Sequence, residues 1–222
     1  MGNLFKLFRG AGSEAAAHTA ENPSARVNRR SSGLGEFTRA LQGQEGLCIL
    51  DLGATSATNI SRFTGAGHKI CTEDVLRSAH DSALLITGPD GKKVIDVARF
   101  LSENLAYQPK SFDAVLCWDV ADYLPEALVK PVVERLCSLM KPGGILLAFF
   151  HTRDAGPNAG HYRYHVSGAD MLQLQATTSN GVPAFRLQRV FNNRHIENLF
   201  REFGSLKFFL ARDNVREVLV VR

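Results

Sequence analysis

The segment Leu47-Cys48-Ile49-Leu50-Asp51-Leu52-Gly53 restricts this chain more than any other. A continuous apolar run of that length, closed by an acid and a glycine, reads as a strand buried on both faces. Such strands belong to parallel sheets covered by helices. The pattern returns at Phe112–Trp118, which ends in Asp119, and at Ile145–Phe150, which ends in His151. A shorter run, His68–Thr72, ends in Glu73-Asp74. Between the runs lie helical segments. Thr58–Thr64 stops at Gly65 and Gly67, and Glu126–Met140 stops at Lys141-Pro142-Gly143-Gly144. Lys in the last turn with Pro and Gly beyond is a helix terminator. Repeated strand–helix units predict a doubly wound α/β fold, with a mostly parallel sheet and helices on both faces. Leu206–Ala211 and Val215–Val221 are separated by only three residues, so they must pair antiparallel. Residues 75–110 carry helical patterns near 76–84 and 94–105 around the turn Gly88-Pro89-Asp90-Gly91, but no legible third strand.

The rest of the chain divides simply. Residues 1–35 read as a flexible basic tail, and residues 36–222 as the domain, with order from Glu36. Tyr162–Val166 and Met171–Gln175 flank Ser167-Gly168-Ala169-Asp170 as a hairpin, inside an insertion over about 152–185 that reads as a lid. Asn192 or Asn193 caps a helix reaching Phe203. The net charge is +4, and Lys6, Arg9, Arg26, Arg29, Arg30 and Arg39 crowd the first forty residues. No Lys/Arg stripe with interleaved aromatics is present in the domain, so nucleic acid is not the expected partner. Residues 1–9 can form one short amphipathic turn, enough for weak peripheral contact with a membrane. No apolar run approaches the roughly 18 residues of a membrane span, and residues 1–20 lack a secretory apolar segment. Cys48, Cys71, Cys117 and Cys137 form no CxxC pair and read as reduced, buried thiols. A cytoplasmic location is expected, with the membrane periphery as a variant. No metal is expected, because His161 and His165 on a strand lie about 13 Å apart along the chain.

Four stretches carry a family resemblance over residues 36–222. They are Ile49–Ala57, Glu73-Asp74, Ser111–Val120 and Leu139–Leu147. Together with the terminal hairpin they make the chain similar to the class I, Rossmann-like S-adenosylmethionine-dependent methyltransferases. The resemblance implies a seven-stranded-type sheet with S-adenosylmethionine as cofactor, bound beyond the carboxyl ends of the strands. It implies that Asp51, Gly53, Ala54 and Thr55 form the loop under the cofactor. Asp74, or Glu73 one step earlier, holds the ribose, and Cys117, Trp118 and Asp119 line the methionine side. The chain departs from the family at Thr55 and Ala57, which replace the second and third glycines of the loop. A β-branched Thr suits neither a positive φ nor close backbone approach, so cofactor binding requires that these residues leave the loop open. The same hydroxyl-rich stretch can instead cap the following helix.

The function so implied is methyl transfer to an unidentified small-molecule or protein acceptor. Asp119 and His151 are the candidate bases for deprotonating it, although methyl transfer needs mainly alignment. The alternative is a methyltransferase-like protein without catalysis, serving as a scaffold tethered by its basic tail. A nicotinamide dehydrogenase fits this loop worse.

Overall fold

The computed structural model describes residues 25–152, 160–179, 182–210 and 213–222. The membrane contact expected of residues 1–9 falls outside them. Element order is β1 (Arg26–Arg30), α1 (Ser32–Leu41), β2 (Cys48–Asp51), α2 (Ala57–Gly65), β3 (Lys69–Thr72), α3 (Val75–Ala79), β4 (Leu85–Thr87), β5 (Lys93–Ile95), α4 (Val97–Glu103) and β6 (Phe112–Trp118). It continues with α5 (Val120–Tyr123), α6 (Glu126–Leu139), β7 (Met140–His151), β8 (Tyr162–Val166), β9 (Met171–Ala176), β10 (Thr178–Ser179), β11 (Val182–Pro183), α7 (Asn193–Leu199), β12 (Ser205–Leu210) and β13 (Val215–Val221).

The central sheet has the order β12-β13-β7-β6-β2-β3. Strands β2, β3, β6 and β7 run parallel, and β13 is antiparallel to both β7 and β12. The mostly parallel sheet and its antiparallel end match expectation. The strand count does not: among the described residues this sheet has six strands, not seven. Beyond β3, β4 and β5 pair only with each other as a separate hairpin. Three or four residues either side of Gly88–Gly91 close a tight turn on themselves. That is too short a span for a crossover back to the sheet edge. Lys93–Ile95 being strand also delays α4 to Val97, where a helix from about residue 94 was expected.

Each central strand splits its side chains between two cores, as a period of two requires. Ile49, Ala114, Leu116, Leu147 and Phe149 face α1 and α2. Leu50, Val115, Leu146, Ala148 and Phe150 face the opposite layer, with Leu136 of α6 and Ile196 of α7. The four cysteines are free thiols, with Cys117 buried and the others partly exposed. No helix among the described residues is long and apolar enough to cross a membrane.

The expected tail needs correction over residues 26–35. Arg26–Arg30 is strand β1, pairing antiparallel with β9, which pairs antiparallel with β8. The predicted hairpin is therefore two-thirds of a three-stranded sheet. The anchor is Arg29, one of the residues that made this stretch look like a solvated basic arm. Its Nε bonds to Asp213, its Nη1 lies 2.8 Å from Glu217 Oε1, and its guanidinium sits 5.0 Å over the Phe149 ring. Glu217 Oε2 also accepts from Ser31 Oγ at 2.9 Å and from Gly33 N at 2.6 Å. Gly33 is required there, since a Cβ would come within 2.9 Å of both Glu217 Oε2 and Leu147 Cδ1. One carboxylate on β13 thus receives β1 and the first turn of α1.

Glu217→Ala leaves the buried Arg29 charge with Asp213 alone and strands two donors, Ser31 Oγ and Gly33 N. It is expected to cost about 2–4 kcal/mol, from half of the buried pair and the unmet donors. Urea unfolding measures this, and a loss below about 1 kcal/mol contradicts the anchoring role.

Candidate functional site

The carboxyl ends of β2, β3, β6 and β7 meet at one edge of the sheet, where an open parallel sheet presents its binding crevice. Asp51 closes β2 and is 1% exposed. Its Oδ1 accepts from Trp118 Nε1 at 2.6 Å and from Gly53 N at 3.3 Å, and its Oδ2 accepts from Asn59 Nδ2 at 2.8 Å. Burial raises its pKa against the pull of these bonds. Both oxygens are thus occupied within the protein. Asp51 shapes the loop.

Asn59 extends this grip into the inserted sheet. Its Nδ2 also donates to Tyr164 O at 3.0 Å, and its Oδ1 accepts from Val166 N at 2.7 Å. Ser56 caps α2 by accepting from Asn59 N, and its Oγ lies 2.7 Å from His165 Nδ1. The hydroxyl-rich loop therefore does cap its helix, through Ser56. Gly53 is needed for close packing, because a Cβ there would come 3.0 Å from Trp118 Cδ1. Thr55 is not strained. The described non-glycine residues with positive φ are Leu105, Lys110, Trp118 and Asn214, so neither Thr55 nor Ala57 needs glycine's freedom. Thr55 is exposed, and its hydroxyl lies 3.3 Å from that of Thr72 at the end of β3. Ala54 beside it is half-buried.

The two acids after β3 have different tasks. Glu73 Oε2 accepts from Leu105 N at 2.9 Å, which holds a left-handed turn at φ 57°. Asp74 caps α3, with its Oδ1 accepting from Arg77 N at 3.2 Å. Its Oδ2 has no bonded partner among the described residues and stays available.

The end of β6 splits the residues expected to line one wall. Cys117 points into the core opposite α1, where burial pushes its thiol up to about 12. Trp118 points to the other face and stacks on Tyr164, with centroids 4.8 Å apart and planes within 7°. Asp119 is buried, and Tyr164 Oη donates to its Oδ2 at 2.8 Å. Burial lifts its carboxyl to about 6, opposed mainly by His151. Asp51, Gly53, Trp118 and Asp119 thus form one connected unit, joined through Tyr164 and Asn59, while Cys117 stands apart from it.

At the end of β7, Asp122 Oδ2 accepts from both His151 N and Nδ1 at 2.7 Å. Burial pushes the imidazole down, but the Asp122 bond and the charges of Asp122 and Asp119 outweigh it and leave its pKa raised. His161 and Tyr123 complete the wall, edge to face at 4.9 Å. Burial lowers His161 to about 4, so its ring is neutral near pH 7. His161 Nδ1 pairs with Thr177 Oγ1, while His165 turns to Ser56 and Gln175. Sequence reading gave Asn59 and Tyr164 no role of their own and passed over Asp122, an acid three residues after Asp119 and thus on the same side of a helical turn.

Asn59→Ala removes one acceptor and two donations inside this unit. A loss of about 2–4 kcal/mol is expected, with faster hydrogen exchange at the Val166 amide. Unchanged exchange there contradicts the clamp.

A family model described as a methyltransferase domain matches residues 25–205. The chain is similar to the ubiquinone biosynthesis O-methyltransferase of Xanthomonas campestris pv. campestris, 26% identical over 137 residues, 62% of this chain and 55% of the relative. It spans about half the length of the curated relatives it matches. Similar solved structures include the 1,6-didemethyltoxoflavin-N1-methyltransferase of Burkholderia thailandensis, with 14% identity over 86% of this chain and 77% of that one, TM-score 0.47. Another is a SAM-dependent methyltransferase from Archaeoglobus fulgidus, with 11% identity over 85% of this chain and 91% of that one, TM-score 0.48.

Proposed function

We propose that this chain, which belongs to the methyltransferase domain family, transfers the methyl group of S-adenosylmethionine to an oxygen of a small-molecule acceptor. The observation that carries the acceptor chemistry is the His151–Asp122 pair. His151 Nδ1–H donates to Asp122 Oδ2 at 2.7 Å, which leaves the lone pair on Nε2. An imidazole so oriented can take a proton from an acceptor hydroxyl. The curated relatives are named as O-methyltransferases, which favours oxygen as the nucleophile.

The cofactor fits the residues at the edge of β2 and β3. Asp74 keeps an unbonded carboxylate oxygen there, suited to a ribose hydroxyl. Thr55 adds an exposed hydroxyl in an unstrained loop. Gly53 and Ala54 carry the backbone of that loop past the ligand, and Asp51 holds the loop in place from beneath. When bound, the cofactor supplies an electrophilic methyl on a sulfonium. The chain's own contribution is alignment of the acceptor, with His151 holding its proton and Asp122 fixing the tautomer. Tyr164, through Asp119, ties the inserted sheet to the same edge.

Isothermal titration is expected to show S-adenosylmethionine binding, weakened about tenfold or more in Asp74→Ala. No heat at millimolar cofactor refutes the enzyme reading. With a catechol such as 3,4-dihydroxybenzoate as acceptor, His151→Ala should retain cofactor binding and lose about 10²–10⁴ in turnover.

The pH dependence follows from the raised pKa of His151. A base must be unprotonated, so activity should climb with pH through an inflection above the ordinary histidine value of 6.5. Asp122→Asn keeps an acceptor oxygen but removes the charge that helps raise it, and should move the inflection to lower pH. An unmoved inflection removes His151 from the proton-transfer role.

A further inference from the structure

The outward face of the three-stranded sheet β1-β9-β8 carries positive charge that the domain leaves unanswered. Successive side chains alternate between the faces of a strand. The register therefore sets Arg26, Gln175 and Arg163 in one outward row, and Asn28, Gln173 and His165 in the next. The residues between them on β8 and β9, Tyr164, Val166 and Leu172, point inward to the core. Arg26 and Arg163 flank the central strand, so their Cα atoms lie about 10 Å apart, a span that two arginine side chains can close over one group. The other two arginines of β1 are paired, Arg29 with Glu217 and Asp213, and Arg30 with Asp170 at 3.5 Å. Neither Arg26 nor Arg163 meets a carboxylate among the described residues. Arg26 is exposed and bonds Gln173 Oε1 at 3.2 Å. Arg163 has no hydrogen bond or ion pair among the described residues, and its Nε is buried without a partner. Burial lowers the pKa of His165, the bond to Gln175 opposes this, and the charges of Arg26 and Arg163 lower it further. One imidazole thus feels both guanidinium charges, so they belong to a single patch. Arg163 and Gln175 also line a cavity of about 260 Å³, with Ala176, Thr177 and Thr178. Arg163 is partly exposed and Thr178 fully so, which opens the cavity to solvent. Its volume is below the roughly 300–1,000 Å³ of sites for drug-sized ligands, and suits one small group.

We propose that Arg26 and Arg163 hold a soluble phosphate group, as orthophosphate or the terminal monoester of a small molecule. Two uncommitted guanidinia match the double charge, and each offers forked donors to the oxygens. The Thr178 hydroxyl adds a neutral donor at the rim. A single carboxylate would leave one of the two cations unanswered. A nucleic-acid strand would call for rings on which bases stack, and the outward rows hold no Phe, Tyr or Trp. The site does not depend on the methyltransferase reading.

The test titrates the full chain with inorganic phosphate, and with acetate at the same ionic strength, by calorimetry and by NMR of the His165 ring. Phosphate is expected to saturate and to bind about tenfold or more tightly than acetate. By countering the charges of Arg26 and Arg163 it should also raise the pH midpoint of His165. Arg26→Gln and Arg163→Gln, both on the outward face, should each weaken phosphate about tenfold. Arg163→Lys should recover only part of the loss, because an ammonium lacks the fork. No saturation by phosphate, equal affinity for acetate, an unmoved His165 midpoint, or wild-type affinity in either Gln variant each overturns the proposal. Binding to phosphatidate vesicles without saturation by inorganic phosphate assigns the face to a lipid surface and overturns it too.

Discussion

A carboxylate taken out of water costs several kcal/mol unless it is met by donors, and Asp51 is met by three. The donors come from three places: the indole of Trp118 on β6, the amide of Gly53 in the loop, and the carboxamide of Asn59 on α2. One buried charge therefore fixes the end of β2, the path of the loop, the first turn of α2 and the exit of β6. That exit is itself strained, since Trp118 has φ 49°, a conformation costly for a bulky residue. The indole bond to Asp51 and the stack on Tyr164 hold it there.

The inserted sheet depends on the same centre. Asn59 turns its remaining valences to β8, and Tyr164 reaches Asp119. From the other side, Arg29 brings β1 onto β13 through Glu217 and Asp213. A segment that is 120 residues or more distant in sequence from its neighbours thus becomes the third strand of the wall around the site. The polar groups of this wall are connected to one another, and such networks reward full satisfaction and punish partial loss. Asp122 Oδ1 is among the atoms left without a partner, buried beside the histidine that the proposed chemistry uses.

The parts of the fold legible in the chain were those with local causes. Apolar runs at 48–51, 112–118 and 145–150 announced parallel strands, because burial on both faces leaves no polar alternation. Pro142-Gly143 announced the end of α6, and the three-residue link at 212–214 forced an antiparallel pair. The glycine loop was harder. Thr55 looked obstructive on the assumption of a positive φ or of close backbone approach, and the backbone does not adopt a positive φ there. The acids at 73 and 74 were both visible, but nothing local distinguishes an acid that bonds Leu105 from one that caps α3.

What remained hidden was set by contacts between distant residues. Arg29 reads as a solvated basic residue until Glu217 and Phe149 are placed beside it. Asn59 reads as an ordinary helix residue until Asp51 and Val166 converge on it, and Asp122 as a helix acid until His151 arrives from β7. The opening segment, Leu50-Asp51-Leu52-Gly53, shows both sides of this division. Its pattern established a buried strand and a turn, because hydrophobicity and backbone freedom are properties of the residues themselves. That its acid bonds the indole of Trp118 and the carboxamide of Asn59 was decided by tertiary structure, because hydrogen-bond partners are chosen by proximity in space.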